Sequence, residues 1–268
     1  MRKLVLAVSA AMLVSPAAGA AQRSDEEWLR DCRERERGEL VRFCEVRVER
    51  VQPGGGAIRV DPGANGGVAV EGWDRNEIEV HARIEARAEP EAAARGLAEA
   101  VRVITVGPIG AEGPAREGRA SWHVSFVVFA PVSSDLELTT RNGPLAVRNV
   151  NGRMRLEAVN GPLSLRDVGG DVQARTQNGP ISVALSGTRW EGAGLDAETR
   201  NGPVSLALPE GYNARLETGT VHGPFTSDVP LEVTLRGRMG GPVTATLGSG
   251  GPPIRVVTTN GPVSISRR

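Results

Sequence analysis

The sequence predicts an all-β fold: a right-handed parallel β-solenoid with coils of 18 to 23 residues and one helix inserted in its N-terminal half. Three observations predict it. The tripeptide Asn-Gly-Pro opens at Asn142, Asn160, Asn178, Asn201 and Asn260, with His-Gly-Pro at His222 and Gly-Gly-Pro at Gly240, so the starts are 18, 18, 23, 21, 18 and 20 residues apart. A period of that size marks stacked units that cannot bury their apolar faces alone. Between the tripeptides, apolar and polar residues alternate at period two, which is the pleat of a half-buried strand. Glycine is abundant at 34 residues and aromatics amount to only 3% of the chain, a composition that places glycine at turns between short strands.

Taken in order, residues 1–20 read as an export signal. Arg2 and Lys3 form the positive start, Leu4 to Val14 the apolar stretch, and Ala18-Gly19-Ala20 the small-residue cleavage site. No later stretch reaches the roughly 18 apolar residues of a membrane span. The expectation is a periplasmic or secreted protein cleaved near Ala20, with no transmembrane segment. Residues 21–45 read as a leader or cap stapled by Cys32 and Cys44, the only cysteines. In an oxidising compartment such a pair forms a disulfide, since a metal site would need two more ligands. Asp25 to Arg37 has the pattern of a short helix burying Trp28 and Leu29, and Arg33 to Arg37 is a solvated alternating-charge run.

Residues 46–135 form an N-terminal β region. Strands are expected at Glu45 to Val48, at Ile58 and Val60, at Val68 and Val70, and at Ile78 to Ile84, with turns at Pro53 to Gly56, Asp61 to Gly67 and Gly72 to Asp74. Pro90 opens a helix over 91–104, where Ala94, Leu97, Ala98 and Val101 recur at helical spacing. A loop over Gly107 to Gly118 leads to a buried strand, Trp122 to Phe129.

Residues 136–268 carry the repeats. Leu136, Met154, Val172, Leu195, Leu216 and Ile254 lie six positions before each tripeptide, and Thr140, Ala158, Thr176, Thr199, Thr220 and Thr258 two before; both rows point inward. So do Leu145, Leu163, Ile181, Val204, Phe225, Val243 and Val263, three after its first residue. The next outward row is small and hydroxylic: Ala146, then Ser164, Ser182, Ser205, Thr226, Thr244 and Ser264, a candidate binding face. At each corner Asn tolerates left-handed angles, Gly takes them freely, and Pro suits a strand's first residue. Stacked in register, Asn142, Asn160, Asn178 and Asn201 form an amide ladder. Asn151-Gly152 and Gly169-Gly170 mark a second corner in each coil.

The export signal, the Cys32 and Cys44 segment with Cys-Glu-Val-Arg, Val68-Ala69-Val70-Glu71-Gly72-Trp73-Asp74, the single helix and repeats of the type Leu-Glu-Leu-Thr-Thr-Arg-Asn-Gly-Pro-Leu-Ala-Val resemble the bacterial putative-adhesin family of β-strand-repeat envelope proteins. The resemblance covers nearly the whole mature chain and implies no catalytic residues. One departure is proline after the Asn-Gly corners, where the family has a polar or aspartyl residue.

Candidate chemistry is sparse. His81, His123 and His222 are lone histidines without metal-binding spacing. Asp167 and Asp171 flank a corner as turn residues. The glycine turns lack phosphate-loop and calcium-repeat patterns. With 32 basic and 32 acidic residues the formal charge is +0, which argues against nucleic acid as a partner. The expected function is a noncatalytic, adhesin-like envelope protein, with no cofactor and no metal, that presents a long face to an envelope glycan or protein. The alternative is a β-helix enzyme, a lyase or hydrolase, acting on polysaccharide.

Overall fold

A computed structural model describes residues 16–34, 40–115, 118–231, 233–234 and 242–268, with the side chains of the first helix described from Ser24. The segment expected as the export signal lies outside these residues up to position 15, as does the Gly240 corner.

The described residues are β-rich, with two helices and three sheets. Helix α1 (Pro16–Glu34) precedes β1 (Val41–Val51), β2 (Ile58–Val60), β3 (Val68–Trp73) and β4 (Ile78–Ala88). Then come α2 (Glu91–Glu99), β5 (Arg102–Ile104), β6 (Gly110–Glu112) and β7 (Ser121–Pro131). The repeats supply β8 (Leu136–Asn142), β9 (Leu145–Arg148), β10 (Asn151–Asn160), β11 (Leu163–Arg166), β12 (Gly169–Asn178), β13 (Ile181–Ala184), β14 (Gly194–Asn201) and β15 (Val204–Leu208). The chain ends with β16 (Ala214–His222), β17 (Phe225–Ser227), β18 (Val233–Thr234), β19 (Val243–Leu247), β20 (Pro253–Asn260) and β21 (Val263–Arg267).

The larger sheets are mixed. One runs β1-β4-β7-β3-β9-β11-β13-β15-β21-β17, antiparallel from β1 to β7 and parallel beyond; the other runs β18-β19-β16-β20-β14-β12-β10-β8-β2, antiparallel only from β18 to β16. Strands β5 and β6 form a separate pair. Apolar rows of the two sheets meet in one core. Leu163, Ile181, Val204 and Val263 are cross-strand neighbours in a single column, each at most 1% exposed. Leu136, Met154, Val172, Leu195, Ile254 and Leu216 face them from the other sheet.

The structure departs from expectation in four places. The leader helix expected over Asp25 to Arg37 is α1, which begins earlier, at Pro16, and is described as far as Glu34, so it joins the inserted helix as a second one among the described residues. The second helix stops at Glu99 rather than residue 104: Ala94 and Ala98 are its buried contacts, and the β-branched Val103 and Ile104 pair with Ala111 and Gly110. The stack does not begin at residue 136. Strands β2 and β3 already lie on β8 and β9, with Ile58 against Leu136 and Val68 against Leu145, so Asn65-Gly66-Gly67 is the first corner. Finally, stacking order is not chain order: β20 and β21 lie between β14-β15 and β16-β17, which places Asn260 between Asn201 and His222. Val243 therefore falls on β19, antiparallel to β16, outside the expected column, and Phe225 on the last strand is 38% exposed.

Candidate functional site

The Asn-Gly-Pro corners align along one edge. Asn160 donates from Nδ2 to Asn142 Oδ1 at 2.9 Å, Asn178 to Asn160 at 2.9 Å, Asn201 to Asn178 at 2.8 Å, and Asn260 to Asn201 at 2.8 Å. Asn142 continues the run to Asn65 Oδ1 at 3.1 Å. The expected left-handed backbone is not the reason for these residues. Among the described residues only Asn149 and Asp167 have positive φ outside glycine, and of the Asn-Gly-Pro glycines only Gly261 does. Glycine is required by close approach instead: a Cβ on Gly161, Gly179 or Gly202 would sit 2.0, 2.0 or 2.2 Å from the carbonyl oxygen of the adjoining corner glycine. Corner carbonyls also accept from threonines of the inward row, with Thr176 reaching Gly161 at 3.1 Å, Thr199 reaching Gly179 at 2.9 Å and Thr258 reaching Gly202 at 2.9 Å. Thr220, in the repeat where His222 replaces Asn, leaves its buried hydroxyl unpartnered.

Of the expected binding face, five residues come together. Ser164, Ser182, Ser205, Ser264 and Thr226 form one exposed row across β11, β13, β15, β21 and β17. Thr244 does not join them; it lies on β19 in the other sheet, opposite Glu217. The outer face of that second sheet is charged. Arg255 binds Asp196 at 2.7 Å, Glu198 at 3.0 Å and Glu217 at 3.2 Å, and Arg59 binds Glu137 at 2.9 Å.

At the N-terminal end the Cys32–Cys44 disulfide ties α1 to β1, across a Cα separation of 6.5 Å. Beneath α1 lies a charged row on β4. His81 is buried, with Nδ1 2.5 Å from Asp25 of α1 and Nε2 2.9 Å from Glu79. Arg83 bonds Asp25, Arg50 of β1 bonds Glu79, and Phe129 of β7 packs edge-on against the imidazole. Burial opposes charge on His81, but bonds to the two carboxylates outweigh it and hold its pKa above the ordinary value. Burial would raise Asp25 and Glu79, yet their bonds to His81 and to Arg83 or Arg50 hold both below the usual carboxylate range. His123 lies 3.5 Å from Glu85, and His222 sits opposite Asn260. Among the described residues no group of three or more His, Cys, Asp or Glu side chains is placed to hold a metal ion.

A cleft of about 900 Å³ opens along the second corners, on the side away from the Asn ladder. Its wall is the loop between β13 and β14, with Arg189, Trp190 and Glu191, together with Tyr212 and Asn213. Asp167 lies in this cleft and is held by Arg268 at 2.5 Å, which lowers its pKa, whereas Asp171 borders a separate depression on the second sheet. The two aspartates thus line different depressions. Trp190 and Tyr212 carry no sequence motif; the lengthened repeat from Asn178 to Asn201 was the available signal.

Among the described residues no helix is long and apolar enough to cross a membrane. No protein-family profile and no curated protein matches the chain. Solved structures do. A putative cell adhesion protein from Clostridium sporogenes is 11% identical, with a TM-score of 0.47, over 84% of this chain and 100% of that one. A putative adhesin from Bacteroides fragilis is 10% identical, with a TM-score of 0.30, over 84% and 97%. A putative lipid binding protein from Parabacteroides distasonis is 11% identical, with a TM-score of 0.29, over 84% and 96%. Likenesses this distant carry no function across.

Proposed function

We propose that this chain is an exported, noncatalytic, adhesin-like protein of the bacterial cell envelope, whose parallel ladders are turns of a right-handed β-solenoid presenting an extended face to a glycan or protein. Residues 1–20 act as the export signal and 21–45 as a stapled cap. The observation that supports binding is the hydroxyl row Ser164, Ser182, Ser205, Ser264 and Thr226. With strands about 4.8 Å apart, it spans roughly 19 Å of flat surface. Exposed prolines border it at Pro162, Pro180, Pro203 and Pro262, and Ala184 and Ala207 border its other side, so its centre is uncharged. The core is already filled by Ile181, Val183, Val204 and Leu206, so these hydroxyls are not needed for packing.

The test is a glycan and envelope-protein array probed with the mature chain, beside the double variant Ser182→Arg and Ser205→Arg. Loss of a ligand by the variant, with unchanged melting, supports the face. Unchanged binding overturns it, and turnover in a polysaccharide lyase and hydrolase panel overturns the noncatalytic reading.

A further inference from the structure

The connections on the cleft side are unequal. Residues 149–150 join β9 to β10 and residues 167–168 join β11 to β12, two residues each, whereas 185–193 join β13 to β14, nine residues, and 209–213 join β15 to β16, five. In stacked repeats such insertions collect on one side, often the binding side. Here they raise one wall beside a floor of short corners.

That wall is held in place. Trp190 Nε1 donates to Gly170 O at 3.0 Å, and Gly170 N donates to Glu191 O at 2.6 Å. Asn213 donates from Nδ2 to Thr188 O at 3.0 Å, and its Oδ1 accepts from Ser249 N at 2.8 Å and Ser249 Oγ at 2.9 Å. A preformed cleft avoids the ordering cost of binding.

Two side chains point to an occupant. Trp190 is 3% exposed and Tyr212, the only tyrosine, 4%. The Tyr212 hydroxyl has no hydrogen-bond partner among the described residues, although the side chain is nearly enclosed and Glu191 of the cleft wall acts on it electrostatically. The buried side-chain atom without a partner among the described residues is Thr220 Oγ1, so the Tyr212 oxygen is not sealed in; it opens to the cleft beside Glu191, where it can donate to a ligand hydroxyl. The cleft has no net sign to select an ion, because Arg268 neutralises Asp167 and the remaining charged lining is one arginine, Arg189, and one acid, Glu191. Its remaining lining mixes amide and hydroxyl groups, among them Asn151, Ser186 and Thr188, with the apolar Val132, Val150, Val168 and Pro252. At about 900 Å³ it lies within the range of small-ligand sites.

We infer that this second-corner cleft is a binding site for a neutral oligosaccharide segment, with Tyr212 donating to a sugar hydroxyl and the loop 185–193 setting specificity. The inference rests on the binding-protein reading above but names a different surface.

The test is calorimetric titration of the full mature chain with maltotetraose, cellotetraose and chitotetraose, and with a sulfated chondroitin tetrasaccharide. At least one neutral probe should bind. Tyr212→Phe, which removes only the unpartnered hydroxyl, should weaken it by about fivefold or more at unchanged melting temperature. Ser182→Arg should leave that affinity unchanged. Failure of all three neutral probes, binding of the sulfated probe alone, or equal affinity in Tyr212→Phe overturns the cleft assignment. If Ser182→Arg abolishes binding while Tyr212→Phe does not, the sugar sits on the hydroxyl face, so the proposed function stands and this inference fails.

Discussion

Replacing Gly179 with alanine tests the close stacking of corners without disturbing backbone angles, since Gly179 is not among the positive-φ residues. The added Cβ would lie 2.0 Å from Gly161 O and 2.5 Å from its carbon, against ordinary contact from 3.4 Å. Both obstacles are backbone, so neither can swing away. Relief requires the two corners to part by about 1.4 Å at that point. The bonds flanking the corner, Gly161 N to Asn178 O and Leu163 N to Pro180 O, are each 2.9 Å and would stretch beyond hydrogen-bonding range. Two such bonds contribute about 0.5–1.5 kcal/mol each, and overpacking costs about 1–3 kcal/mol, so the loss is about 4 kcal/mol. For a chain of this size that is a fall of about 10 °C in melting temperature, read by circular dichroism. Gly96→Ala, in α2 with open space around its Cβ, should instead stabilise by about 0.5–1 kcal/mol. Melting of Gly179→Ala at the wild-type temperature would refute the backbone-to-backbone stacking.

Asn178→Ala removes two ladder bonds and should cost about 1–2 kcal/mol, whereas Asn260→Ala removes one and should cost about half as much; equal losses in chemical denaturation would contradict the ladder. Because Tyr212 is the only tyrosine, ultraviolet titration reads it alone: burial, with Glu191 adding to it, pushes its pKa up to about 12, so the phenolate step should come there in the folded chain and at the ordinary value in denaturant. Its contribution to stability should fall as pH rises from the ordinary tyrosine value toward about 12, because the unfolded chain releases its proton first. Intact mass of the oxidised chain should be about two daltons below the reduced form, since closing Cys32 to Cys44 removes two hydrogens, and free thiols on both would contradict the staple. Docking of α1 should weaken in both directions of pH: its His81 contribution is present at acid pH and lost as pH rises through the raised His81 value, while the Asp25 and Glu79 contributions are lost as pH falls through their lowered values. Hydrogen exchange of residues 25–34 across pH should therefore be slowest in between, and His81→Gln should flatten the alkaline limb.

Register was legible in the sequence because a period-two pattern admits only one inward set, and the column from Leu163 to Val263 follows from it. The first corner was not legible, because Asn65-Gly66-Gly67 lacks the proline by which the later corners are recognised. The charged cluster under α1 was equally hidden. Asp25 and His81 are 56 positions apart, and nothing in either local pattern marks the partner. Thr244 was misplaced for another reason: its alternation matches the repeat, but its strand runs antiparallel to β16, so the same local pattern serves a different ladder.

Stacking order shows why periodicity has this limit. One repeat is joined to the next by an Asn amide, a glycine that admits a carbonyl, and an inward threonine, and the same joint links repeats that are distant in sequence. Asn260 meets Asn201 as well as Asn201 meets Asn178, at 2.8 Å in both cases, although 59 residues separate one pair and 23 the other. Identical joints define a shape and leave the order to the connections. The same reasoning bears on recognition. Residues that recur in every repeat cannot distinguish one position along the ladder from another, so positional selectivity has to come from departures. The longest departure between β8 and β16 is the nine-residue connection after β13, and it carries Trp190 to the cleft where the only tyrosine keeps an unpartnered hydroxyl.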